Sequence, residues 1–171
     1  LREIWRLKGK LEALLNNNDK ALKYLLHTLQ LYEQANDFGV SYFTITTNIA
    51  YIYMTKGELL HAKLFMDEAI ETMEKLQGDI FEIKQEVLYV YINIFGMIYE
   101  SIKDYENAEK CYRHVIDNCK QTQISSEAYQ ISCNNLSFML MKQNKWEESL
   151  SLLLDISESK NIDNILLNFP P

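Results

Sequence analysis

Between Asn93 and Ile116 the chain reads NIFGMIYESIKDYENAEKCYRHVI, and its small and aromatic residues fall at fixed steps. Gly96, Tyr99, Tyr105, Ala108 and Tyr112 stand at offsets 0, 3, 9, 12 and 16. Read as one helix, a tight turn at Lys103-Asp104 and a second antiparallel helix, the segment places small residues where the helices touch. The aromatics then fill the seam between them. The same signature occurs three more times. Four such hairpins make a repeat architecture, in which each unit packs on its neighbours and the product is an extended surface. Such a chain is expected to bind rather than to catalyse.

Composition agrees with long helices. The 171 residues are enough for one domain with a core, and 47% of them are apolar, which excludes a disordered tail. Only 5 Gly and 2 Pro are present, too little turn punctuation for a β-rich fold. The net charge is −7, so no direct nucleic-acid contact by this segment is expected. No apolar run reaches membrane-spanning length and no charged-then-apolar leader opens the chain. Cys111, Cys119 and Cys133 form an odd set, which fits a reducing cytosol better than a disulfide scaffold. The chain opens at Leu1 inside a helical pattern, so an effector domain is expected upstream.

In order, Ile4, Trp5, Leu7, Leu11, Leu14 and Leu15 mark a helical stripe over residues 2–16. Asn16-Asn17-Asn18-Asp19 breaks it, and Asp19 can cap the helix that follows to about 35. After Phe38-Gly39 a helix is predicted over 40–56, ending at Lys56-Gly57, with its partner over 58–76. Gly78-Asp79 breaks the pattern again. Further pairs are predicted over 80–102 and 105–121, and over 124–143 and 146–158. Residues 161–169 fit one more short helix, ended by Pro170. With no linker in view, the chain reads as one stack of repeats over about 2–36, 38–77, 79–122 and 124–158.

Aligned, the second helices begin with Ala21, Ala62, Ala108 and Ser149, and the first helices carry Gly9, Ala50, Gly96 and Ser137 at the crossing point. Trp5-x3-Gly9, Asn48-x-Ala50-x2-Tyr53-x3-Gly57-x4-Ala62 and Asn135-Leu136-Ser137 carry a resemblance to the tetratricopeptide repeat (TPR) over nearly the whole chain. The resemblance implies an all-α, right-handed α-superhelix of four hairpins plus a short C-terminal helix. The spacings are 41, 46 and 41 residues, against 34 in the standard repeat. The excess of about seven is two helical turns, one per helix, which keeps the faces in register. Enlarged repeats of this kind are similar to the peptide-binding domain of Gram-positive quorum-sensing regulators, the Rap, Npr, PlcR and PrgX superfamily.

In such a stack the first helices line a concave face. Their free positions, taken at i, i+3, i+7 and i+10, are Glu3, Arg6, Lys10 and Ala13 in the first repeat, and Thr44, Thr47, Tyr51 and Met54 in the second. The third gives Val90, Asn93, Met97 and Glu100, and the fourth gives Ile131, Asn134, Phe138 and Met141. The methionines and aromatics suit adaptable apolar pockets, and an asparagine both donates and accepts, as a peptide backbone requires. Asn93 and Asn134 are 41 residues apart and so equivalent. The regulator resemblance implies that they hold a peptide by its backbone; the other reading makes them solvated residues of an exposed face. Arg6 and Lys10, one turn apart, fit a ligand carboxylate, or equally serve as surface charges.

No Gly-rich phosphate loop, Gly-x-Ser-x-Gly elbow or His-Glu-x-x-His occurs. Cys111 and His114 are three apart, but no second ligand pair accompanies them, so neither a metal nor another cofactor is expected. The expected function is the sensor part of a cytosolic bacterial transcriptional regulator that captures a short peptide on its concave face. The alternative is a general protein–protein scaffold or a homodimerisation module.

Overall fold

Each hairpin closes through one residue in the left-handed region. Asn16, Gly57, Lys103 and Asn144 have φ of 59, 77, 66 and 60°. At each turn two N–H groups fold back on the finished helix. Asn17, Glu58, Asp104 and Lys145 donate to the carbonyls of Glu12, Tyr53, Tyr99 and Leu140, at 2.9–3.0 Å. The left-handed residues themselves donate three positions back. This double closure satisfies carbonyls that a helix end leaves open. Glycine and asparagine enter that region readily, whereas Lys103 does so at a cost of about 1 kcal/mol.

The computed structural model describes residues 1–76, 84–122 and 127–159, with the side chains of residues 86, 122, 158 and 159 left aside. These residues form α1 (Arg2–Leu14), α2 (Asn18–Gln34), α3 (Val40–Thr55), α4 (Leu59–Leu76), α5 (Gln85–Ser101), α6 (Tyr105–Thr122), α7 (Glu127–Lys142) and α8 (Trp146–Ser159), and among them there is no strand. The break at Gly78-Asp79 and the short helix over 161–169 lie outside the described residues. Asp19 does not cap α2 as expected. The cap position is Asn17, without a side-chain bond, and Asp19 instead receives Lys56 Nζ at 2.6 Å. Asp104 does serve α6, accepting from the Asn107 backbone N–H at 3.3 Å.

The chain divides into two compact units, Leu1–Leu88 and Tyr89–Pro171. In the first, α1 pairs with α2, α3 pairs with α4, and α2 packs on α3. Gly9 is buried at the first crossing, where a Cβ would stand 2.7 Å from Leu25. Ala50 and Ala62 are buried at the second. The core runs between Leu22, Leu25 and Leu29 of α2 and Ile45, Ile49 and Ile52 of α3. Each such side chain, fully buried, contributes about 1.5–3 kcal/mol.

In the second unit, Gly96 lets α5 approach α6 so closely that a Cβ there would meet Tyr112 Cε1 at 2.5 Å. At the next crossing Ser137 and Ser149 replace the glycine–alanine pair. Each hydroxyl donates to the other residue's carbonyl, at 3.3 and 3.0 Å, so two buried polar groups are satisfied across the α7–α8 contact. Tyr112, Val115, Ile116, Leu136, Met139 and Leu140 belong to the surrounding core.

Candidate binding surface

The outward face of the first helices is narrower than the sequence pattern implies. Thr47 is buried, and its Oγ1 donates to the Phe43 carbonyl at 2.9 Å, so it belongs to the core of the first unit and not to a free face. Asn93 is corrected in the same way. It is 3% exposed, and all its hydrogen-bonding capacity is turned inward. Its Nδ2 donates to the carbonyls of Tyr89 at 3.1 Å and Ala128 at 3.3 Å, and its Oδ1 accepts from Ser132 Oγ at 2.7 Å. The small side chains of Ala128 and Ser132 bring α7 against α5 at this level, which closes the position to a ligand. Asn93 therefore ties two helices together.

Charge pairing removes further candidates from open solvent. Arg6 donates to Glu3 on its own helix, Nε to Oε2 at 2.9 Å. The hydrogen bond to Arg6 holds the Glu3 carboxyl below its ordinary range. Arg6 is thus engaged within α1, while Lys10 stays exposed. Glu100 accepts Lys142 Nζ at 2.8 Å and Tyr112 Oη at 3.3 Å. The Glu100 hydrogen bond raises the pKa of Lys142, and burial pushes the Tyr112 phenol upward. Met54, Met97 and Met141 are half-buried.

Four candidates remain exposed: Lys10 and Tyr51 in the first unit, Asn134 and Phe138 in the second. Phe138 is 61% exposed, with Lys142 Nζ 5.6 Å from its ring centre. Val90 on α5 and Ile131 on α7 are exposed at equivalent positions 41 residues apart. In the second unit, α5 and α7 thus carry Val90, Met97, Ile131 and Phe138, with Asn134 among them. Such a row can seat apolar side chains while one amide meets a backbone. The sequence pattern had already placed all five on this face.

Other chemistry is sparse. Cys119 and Cys133 are buried and Cys111 is half-buried, while His114 is exposed. Among the described residues no group of three His, Cys, Asp or Glu side chains is placed to hold a metal. No described helix is long and apolar enough to cross a membrane. A polar cleft lies beside Asn16, Asn17, Asn18 and Lys56, but Lys56 is taken there by Asp19 and Glu58.

Comparison with known proteins agrees with this geometry. Tetratricopeptide-repeat family models match residues 45–75, 90–122 and 131–156, together just over half of the chain. Among solved structures, BtubC (BKLC) of P. vanneervenii is 19% identical with a TM-score of 0.76, covering 100% of this chain. This chain spans 66% of that protein's length. A putative kinesin light chain of Podosopora anserina with nearly identical TPR-like repeats is 12% identical, with a TM-score of 0.70 over 92% of this chain and 74% of its own. A variant form of it is 13% identical at the same TM-score, over 88% and 70%. These likenesses show the fold, an α-superhelix of helical hairpins. No curated protein matches the sequence.

Proposed function

This chain belongs to the tetratricopeptide-repeat family, a fold that serves as a protein-binding scaffold, and from that premise we propose that it holds an extended peptide segment along α5 and α7. The observation that carries the reading is the exposure of Val90 and Ile131 at repeat-equivalent positions, with Asn134 and Phe138 exposed further along α7. Val90 and Ile131 offer two matching apolar contacts, and Phe138 a third that is broad and rigid. Asn134 supplies the amide that can both donate to and accept from a strand-like backbone.

In its most specific form the ligand is a short signalling peptide, and the chain is the sensor part of a cytosolic bacterial transcriptional regulator. The enlarged 41- and 46-residue spacing supports that form. Binding would order the repeats and so bias an attached effector, such as a helix-turn-helix domain.

The test is a thermal-melt screen against pools of short peptides. A ligand at 100 times its dissociation constant adds about 2.7 kcal/mol of stability, a readable shift. Asn134→Ala and Phe138→Ala should abolish the shift and leave the ligand-free melt in place, because both side chains are exposed. A shift that survives both substitutions moves the site elsewhere. No shift with any pool sinks the peptide reading and leaves the scaffold role for folded partners.

A further inference from the structure

Two helices carry apolar faces that no described helix covers. On α1, Ile4, Leu7, Leu11 and Leu14 recur at i, i+3, i+7 and i+10 and are 52–73% exposed. On α8, Trp146, Leu150, Leu153 and Leu154 recur at i, i+4, i+7 and i+8 and are 40–59% exposed. Apolar residues in such register are the mark of helix packing rather than of scattered surface.

What would cover them can be read from inside the chain. At the α2–α3 junction, Leu22, Leu25 and Leu26 of α2 share a core with Ile45, Ile49 and Ile52 of α3. Measured from Ser149 as from Ala21, Leu150, Leu153 and Leu154 hold the positions of those three leucines. Shifted by 41 residues, Ile4 and Leu11 hold the positions of Ile45 and Ile52. Lys8 stands where α3 has Ile49, and its Nζ lies 4.7 Å over the Trp5 ring. The two uncovered faces are thus the two halves of a junction the chain already builds once.

The edge of that junction changes on both sides together. Between α2 and α3, Asn18 donates to Thr55 at 3.4 Å. Their equivalents are Trp146 on α8 and Leu14 on α1, so a polar pair becomes an apolar pair. Glu147 and Leu15, the equivalents of Asp19 and Lys56, do not pair, which leaves Glu147 to solvent at the rim.

We propose that copies of this chain associate head to tail, α8 of one copy taking against α1 of the next the place that α2 takes against α3. In this arrangement the occupant of each face is a second copy of the 171-residue chain. The contact is heterologous, so it closes into a ring or runs on as a chain of copies. It uses a different surface from the α5–α7 row and stands or falls independently of the peptide reading.

Sedimentation velocity over a dilution series tests it. The mean mass of the 171-residue chain should rise above that of one copy as concentration increases. Leu11→Glu and Leu150→Glu lie at exposed positions and should keep the helix content and the melt, yet each alone should remain a monomer. Mixed in equal amounts, the two variants should form a dimer and grow no further, because each retains the face the other has lost. A wild-type chain that stays monomeric at every concentration overturns the proposal. So does a Leu150→Glu chain that still self-associates, which would mean α1 pairs with α1. A monomer that associates only when residues 160–171 are removed also overturns it, because that segment would then be the occupant of α8.

Discussion

Asn93→Ala separates an internal tie from a ligand contact. The substitution removes two donations to backbone carbonyls and the acceptor of Ser132 Oγ, all inside the second unit. A typical intramolecular hydrogen bond is worth about 1 kcal/mol net, and a buried orphan costs about 1–3 kcal/mol more. The Ser132 hydroxyl can turn to its own helix carbonyl, which softens the second cost. The expected loss is therefore roughly 2–4 kcal/mol, against about 0.5 kcal/mol for an exposed asparagine. In a chain of this size that is a fall in Tm of about 5–12 °C, read by circular dichroism. Asn134→Ala, the same change one repeat later at an exposed position, should move the Tm by no more than about 2 °C. A cycle with Ser132→Ala should show a coupling of at least about 0.5 kcal/mol, since each partner's loss is worse while the other remains. Equal and small shifts for Asn93→Ala and Asn134→Ala, with no coupling to Ser132, would refute the placement of α7 against α5.

Gly96→Ala should destabilise by about 1–3 kcal/mol in urea titrations, because its Cβ meets the buried Tyr112 ring at 2.5 Å; an unchanged midpoint would mean the ring can give way. Lys103→Gly should stabilise by roughly 0.5–1 kcal/mol by the same assay, since φ of 66° strains a lysine and not a glycine. Burial pushes the Cys111 and Cys133 thiols up to about 11, with Asp104 adding to the effect at Cys111. A pKa raised in the folded state favours the neutral thiol, so this stability is fully present below the ordinary value near 9 and is lost as pH rises toward about 11. Titrations of stability with pH should decline across that window, and the folded chain should alkylate far more slowly than the unfolded one at pH about 8. Alkylation at matching rates would place these thiols in solvent.

The hairpins are legible in the residues because what makes them is local. A helix period, a small residue at each crossing and a left-handed turn residue all lie within about twenty positions of one another. Gly96 with Ala108, or Asn144 after Leu140, can therefore be found without knowing any neighbour. The same periodicity also selects a face, and it put Val90, Ile131, Asn134 and Phe138 on the exposed one. It does not say what lies against that face. Asn93 and Asn134 are equivalent by every sequence measure, yet one is buried against Ala128 and Ser132 while the other is exposed. The Ile4–Leu11 stripe of α1 and the Ile45–Ile52 stripe of α3 look alike as patterns, yet among the described residues only the second is covered, by α2. The sequence by itself determined the helices, their turns and their pairing, because those depend on short-range sterics and hydrogen bonds. Only the tertiary structure decided which equivalent positions are core and which are surface, because burial depends on the neighbouring helix a residue meets and not on its own place in the repeat.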